Sequence, residues 1–398
     1  MIDSRLESML ASGSLILSGP EAPDIVDLAR VIALALGVPG IEVRPAAEPM
    51  AEWIGKPEHI VFLLLDGLGM NIVQQMAPDS FMGSHWKAEL LSVVPSTTAS
   101  ALASLGTAVH PSQHAVPGWF TYLPDLQITT TILPFIERYT EIPLQERGLT
   151  GSDVFTQSSW IPGIAGDAMA ILPQRYHDGV FGRHMRGETP GRGYETLRQA
   201  ADAVVEHVSQ AKPGSYTYLY VPQIDSISHI VGPMHDEVLS AARLLDDELA
   251  RLAALLDGKA TLIVSADHGQ LLVPHDNQIE IFDGDPLLEL LEVPPTGEGR
   301  LPLFHVPDHD RGAFEAMFAE RFNDRFALVS IQEAEEITLF GPGPMSAESR
   351  ARFGQYCALP LENHTLAYLP PTIPPRSSPI GRHGALSPAE MLVPLIVA

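Results

Sequence analysis

Asp225 and His229 stand four residues apart just after an apolar run, and Asp267 and His268 are adjacent at the end of another. A carboxylate and an imidazole four apart share one face of a helical turn. Such oxygen and nitrogen donors suit zinc, manganese or iron. Asp66, followed by Gly67, closes a third apolar run, and His383 precedes the last one. Taken singly, each has an ordinary explanation as a helix cap, a turn residue or a solvent-facing histidine. Together they make six donors at or near expected strand ends. Six divide into two groups of three, and three protein ligands per ion leave an open coordination position. Paired ions clamp the attacking and leaving oxygens of a displacement at phosphorus. Thr98, three residues after Pro95 at the start of a small-residue segment, offers a hydroxyl nucleophile. A helix beginning there would add backbone N–H groups for a phosphoryl oxygen. The competing account is that Ser96, Thr97 and Thr98 only cap that helix.

Strands must carry these residues to one place. The runs 59–65 and 261–266 are almost continuously apolar, the pattern of parallel strands buried on both faces. Further strands are expected at 90–94, 216–221 and 391–397, with helices over 23–37, after Asp66-Gly67 through about Met76, from Ser96-Thr97-Thr98 through Ala108, and over 193–211 and 234–256. Residues 45–57 read as a linker. From 117 to 190 the pattern weakens, and irregular structure over the active face is expected. The stretch 275–380 is rich in Pro and Gly, with a helix at 313–322 and strands at 327–331 and 365–369. Alternating strands and helices predict an α/β fold with a mostly parallel central sheet. The expected division is a helical lead-in over 1–55, a core of 56–275 plus 376–398, and an inserted cap over 276–375.

Composition narrows the function further. The 398 residues are 45% hydrophobic, enough for a large core, and carry a net charge of −25. That field disfavours nucleic-acid polymers and anionic membranes as partners. An anionic substrate therefore needs a local reversal of sign, which divalent cations provide. The one cysteine, Cys357, permits no intrachain disulfide and no thiolate zinc cluster. No secretory pattern and no run of membrane-spanning length is seen, so a cytoplasmic protein is expected. Nothing in the pattern specifies an oligomeric state.

In order and spacing, these segments resemble the alkaline phosphatase superfamily, and within it the type I phosphodiesterase/nucleotide pyrophosphatase branch. The resemblance is carried by Asp66-Gly67, Pro95-Ser96-Thr97-Thr98, Pro111-Ser112-Gln113-His114, Asp225 to Pro233, Asp267-His268-Gly269 and Gly381-Arg382-His383-Gly384. It implies an alkaline phosphatase-like fold and two metal ions, zinc first. One ion would be held by Asp225, His229 and His383. The other would be held by Asp66, Asp267 and His268, with Thr98 bridging toward it. Thr98 would be the nucleophile, forming a phospho- or nucleotidyl-threonine intermediate on a small phosphate ester such as a nucleotide. The branch also carries an asparagine that holds a phosphoryl oxygen. The matching place here, Gly118-Trp119, has none.

Several residues stay open. Trp119 and Tyr122 could stack on a flat substrate group or simply pack a loop. Arg183, within a cationic group that includes Arg175, His177, His184 and Arg186, could bind substrate phosphate or form surface ion pairs. A phosphomonoesterase or a carbon–phosphorus hydrolase of the same superfamily is the nearest alternative. A non-catalytic metal- or phosphate-binding homologue is a more remote one.

Overall fold

The structure is a computed structural model that describes residues 3–19, 21–371 and 378–398. Its centre is a seven-stranded sheet ordered Trp86–Leu91, Leu392–Val397, Thr261–Ser265, His59–Leu65, Ser215–Val221, Ala168–Pro173, Gly191–Tyr194. All run parallel except Leu392–Val397, which is antiparallel to both its neighbours. Every residue of His59–Leu65 is buried, so both faces of the sheet are covered. The apolar faces of helices Ile25–Ala35, Leu197–Gln210 and Asp236–Leu256 join these strands in one core. This is the expected α/β architecture.

A second seven-stranded sheet, antiparallel throughout, is ordered Phe326–Ser330, Tyr356–Pro360, Leu301–His305, Val293–Glu298, Phe120–Leu123, Ile128–Thr131, Ile136–Glu137. Its strands come from two stretches that the sequence leaves without a clear pattern. The signal is weak for physical reasons. Several strands have only two to four residues, and Val293–Glu298 contains two consecutive prolines, Pro294 and Pro295, which read as breakers. The expected junction between inserted region and returning core, at 375/376, lies outside the described residues.

Other local expectations shift. Residues 45–57 are not a bare linker: Pro45–Ala47 forms a 3-10 turn and Glu48–Ile54 a helix, with Met50 and Ile54 buried four apart. The strand expected at 90–94 is Trp86–Leu91. Trp86, Lys87 and Glu89 are exposed, so its first half lacks an apolar signature. The helix after Asp66 is only one turn, Met70–Val73. Among the described residues, no helix is long and apolar enough to cross a membrane.

Candidate metal centre and active site

The sheet topology brings the candidate residues to one edge. Asp66 directly follows His59–Leu65, Asp267 lies two residues beyond Thr261–Ser265, and Asp225 lies four beyond Ser215–Val221, in helix Gln223–Val231. These three strands are adjacent and parallel, so their carboxyl ends lie together, where ligand chemistry gathers in such sheets. Trp86–Leu91 ends at the same edge and leads into Ser96, Thr97 and Thr98. The antiparallel strand Leu392–Val397 starts there, so the segment before it delivers His383. The approach is close: a Cβ on Gly67 would lie 2.8 Å from Asp225 Cα, and Gly67 has φ +76°. Only glycine meets both conditions cheaply.

The histidines face the carboxylates through Nε2. His229 Nε2 is 3.2 Å from Asp225 Oδ1, and His383 Nε2 is 3.8 Å from the same oxygen. His268 Nε2 lies 3.5 Å from Asp66 Oδ1 and 3.5 Å from Asp267 Oδ2. The rings of His268 and His383 stack with centroids 3.7 Å apart. Each ring's Nδ1 is within hydrogen-bond distance of a backbone carbonyl: His229 to Gly381 O (2.8 Å), His268 to Gly269 O (3.0 Å) and His383 to Ser96 O (3.1 Å). A carbonyl only accepts, so each Nδ1 carries the proton, and a neutral ring then turns the Nε2 lone pair inward. Lone pairs aimed at carboxylate oxygens repel unless a proton or a metal cation lies between them. Asp66 Oδ1 and Asp267 Oδ2 are buried without a hydrogen-bond partner. The donor set therefore fits divalent cations. Potential ligand atoms of Asp66, Asp267 and His268 lie within 4.8 Å of one another, as do those of Asp225, His268 and His383.

The charges of these groups shift in both directions: for His229 burial opposes the charged ring, but Asp225 overcomes it and the imidazole is raised. Burial, with Asp267 and Asp225 nearby, pushes the Asp66 carboxyl well above the usual carboxylate range. Burial also raises Asp267. Burial opposes ionisation of Asp225 too, but His229, His383 and His268 overcome it and its carboxyl is lowered. His383 falls well below the ordinary imidazole value through burial and the neighbouring His268 and His229. Two unit charges 4 Å apart repel by about 4 kcal/mol at an effective dielectric of 20. Such crowding of carboxylates is costly until a cation offsets it.

Thr98 opens the helix Thr98–Thr107, and its Oγ1 is 3.1 Å from His268 Nε2. The residue before it, Thr97, occupies the N-cap position without a side-chain capping bond; its hydroxyl donates to Glu298 Oε1 instead. The first-turn N–H groups thus lack a side-chain cap beside the candidate nucleophile, which suits an anionic oxygen.

A sequence model of the type I phosphodiesterase / nucleotide pyrophosphatase family matches residues 60–313, well over half of the chain. The chain belongs to that family. Solved structures agree on the fold. Murine ectonucleotide pyrophosphatase/phosphodiesterase 5, solved as an inactive variant with AMP, superposes with a TM-score of 0.63 at 15% identity, over 84% of this chain and 87% of that one. The human protein of that name gives 0.63 at 13% identity, over 85% and 87%. Phosphonoacetate hydrolase from Sinorhizobium meliloti 1021, with phosphonoformate, gives 0.60 at 18% identity, over 86% and 90%. No curated protein matches the sequence. As a member of this family within the alkaline phosphatase superfamily, the chain is a metal-dependent phosphoric ester hydrolase.

In this phosphodiesterase-family chain the six expected ligands and Thr98 converge, while the expected substrate contacts are divided. Trp119 is exposed, and its backbone N–H donates to Glu298 Oε1 (2.7 Å). Tyr122 is buried in the second sheet, edge-on to His305. Arg183 is a surface group paired with Glu188 at 4.0 Å. Among the described residues, neither Tyr122 nor Arg183 makes a hydrogen bond or ion pair with the candidate metal ligands. Arg186 is buried on the carbonyls of Thr189 and His177, and His184 is bonded to Gln157 O. His114, in the segment that resembles a family motif, is a packing residue. It accepts from Val116 N at Nδ1 and meets Ser104 Oγ at Nε2, and burial lowers it to about 3.

Three contributors escape sequence reasoning. Tyr220 donates its hydroxyl to Asp66 Oδ2, Gln270 donates its amide to Asp225 Oδ1, and Glu298 comes from the second sheet. Gln270 had a signal, since it directly follows Asp267-His268-Gly269. Tyr220 and Glu298 had none.

Proposed function

We propose that this chain is a two-metal phosphodiesterase of small, nucleotide-like esters that works through a covalent intermediate on Thr98. The observation that carries the reading is Thr98 Oγ1 lying 3.1 Å from His268 Nε2, at the mouth of a helix and beside buried, unpaired carboxylate oxygens. Asp225, His229 and His383 would hold one ion, and Asp66, Asp267 and His268 the other, with Thr98 bridging toward the second. The nitrogen and oxygen donor set suits zinc, with manganese or iron as alternatives. Held there, such ions would supply a lowered hydroxyl pKa and charge neutralisation at the attacking and leaving oxygens.

Within that frame the chain's own groups have defined tasks. Thr98 Oγ1 loses its proton to solvent and bonds to phosphorus as the bond to the ester oxygen breaks and that oxygen takes up a proton; water then attacks phosphorus, the Oγ1–P bond breaks, and the proton from water restores the Thr98 hydroxyl. The uncapped first turn of Thr98–Thr107 receives a non-bridging oxygen. The carbonyls of Gly381, Gly269 and Ser96 keep the three imidazoles in one tautomer. AMP in the murine relative and phosphonoformate in the bacterial one are small phosphorus acids, which supports a substrate of that size. A phosphonate bearing its own carboxylate fits less well, because Glu298 would face it next to Thr97.

The test is hydrolysis of bis-p-nitrophenyl phosphate and p-nitrophenyl phosphate by protein loaded with zinc or manganese. Thr98→Ala is expected to abolish turnover while retaining metal. Undiminished turnover in that variant would reject Thr98 as nucleophile.

A further inference from the structure

The second sheet brings Glu298 to the nucleophile loop. Its strand, Val293–Glu298, meets Phe120–Leu123 through the pair Gly297 and Phe120, which sets Glu298 beside Trp119. Glu298 Oε1 accepts from the Thr97 hydroxyl at 2.7 Å and from the Trp119 backbone N–H at 2.7 Å. Two donors on one oxygen fix the orientation of the carboxylate, and among the described residues no donor reaches Oε2. A Cβ on Gly384 would lie 3.0 Å from Glu298 Cβ. Glu298 is thus bracketed by the residue before Thr98 and the residue after His383. The charged or titratable groups that also face it are His268 and Arg382. Burial raises its carboxyl, and the bonds from Thr97 and Trp119 together with His268 and Arg382 oppose that rise.

This is also where the chain departs from the family pattern. At Gly118-Trp119 there is no amide side chain, and the Trp119 N–H that could face a phosphoryl oxygen is taken by a carboxylate. A carboxylate has no proton to donate and repels phosphoryl oxygens. The repulsion grows with each negative charge on phosphorus. A diester carries one such charge. A monoester, whose second pKa is about 6, carries nearly two above neutrality.

We propose that Glu298 is a specificity-determining residue that biases the site against doubly charged phosphoryl groups and toward esters with a single negative charge on phosphorus. The proposal rests on the hydrolase reading above and names the substrate class of the same site.

Glu298→Gln keeps the shape, and its amide oxygen can still accept from Thr97 and Trp119, but the charge is gone. The experiment is calorimetric binding of inorganic phosphate and of dimethyl phosphate to the metal-loaded protein at alkaline pH, beside the monoester-to-diester ratio of kcat/KM. In the variant, inorganic phosphate is expected to bind about tenfold tighter or more, with dimethyl phosphate changed less than about threefold. The monoester-to-diester ratio should rise by about the same tenfold. Glu298→Ala, which removes the charge without adding a donor, should move both readouts in the same direction. Metal content and melting temperature identify any variant that has lost the site; the other variant then decides. Equal changes for both ligands, or weaker phosphate binding, would overturn the proposal and leave Glu298 a structural link between the sheets. If the metal-loaded wild type neither binds nor hydrolyses either ester class, the hydrolase reading itself falls, and the proposal falls with it.

Discussion

Replacing Tyr220 by Phe removes one hydroxyl and almost no volume. In the structure that hydroxyl donates to Asp66 Oδ2, while Asp66 Oδ1 has no hydrogen-bond partner. The variant therefore leaves a fully buried carboxylate without any hydrogen bond. A hydrogen bond to a charged group contributes about 1.5–3 kcal/mol, and each 1.4 kcal/mol is a factor of ten. Metal affinity at the Asp66, Asp267 and His268 group should fall by roughly 10- to 100-fold, the usual range for a residue that orients a ligand. Without the bond, the Asp66 carboxyl should also rise further from its already elevated position, so binding of metal should become more sensitive to acid. The backbone should be undisturbed, since Tyr220 lies in a fully paired strand. The assay is competition with a chromophoric chelator at two pH values, with circular dichroism to verify the fold. Affinity within about twofold of wild type at both pH values would refute the argument that Tyr220 orients Asp66 as a ligand.

Three further outcomes follow from the same geometry. Because burial raises Asp66 in the metal-free protein, its folded form is favoured when protonated; stability from this group is present below the usual carboxylate range and lost as pH rises through the elevated value. Metal-free Asp66→Asn should thus melt higher than metal-free wild type near neutral pH, by about 1–3 kcal/mol of stability, with the gap closing toward pH 4. Saturating metal should reverse the order, which calorimetric scans with and without chelator would detect. Arg300 is buried and paired with Glu390 at 2.8 Å, and Glu390 in turn accepts from Ala385 N, two residues beyond His383. Arg300→Leu should cost about 3–5 kcal/mol in urea unfolding by stranding a buried charge, and Arg300→Leu with Glu390→Leu should recover part of it.

How far the sequence could be read depended on where each signal came from. Asp66 and Asp267 are legible because strands buried on both faces appear as apolar runs, and a polar residue at the end of such a run stands out. Asp225 and His229 are legible because their spacing matches one helical face. His383 was legible only by its place before the last apolar run, since the adjoining strand, Gly381–Arg382, has two residues and no periodicity of its own. The second sheet was hidden by short strands and by Pro294 and Pro295, and Glu298 was hidden with it. Its role depends on the pairing of Gly297 with Phe120, about 180 residues apart, which no local pattern encodes. Tyr122 shows the converse: an aromatic near the nucleophile in sequence is buried in the second sheet, edge-on to His305.

The central claim is that six side chains from scattered elements hold a pair of cations within reach of Thr98. Anomalous diffraction from zinc-loaded crystals, collected on both sides of the metal absorption edge, tests it most directly. Two peaks are expected, one among Asp225, His229 and His383 and one among Asp66, Asp267 and His268, the latter beside Thr98 Oγ1. A single peak, or peaks that leave Asp66 and Asp267 uncoordinated, would contradict it.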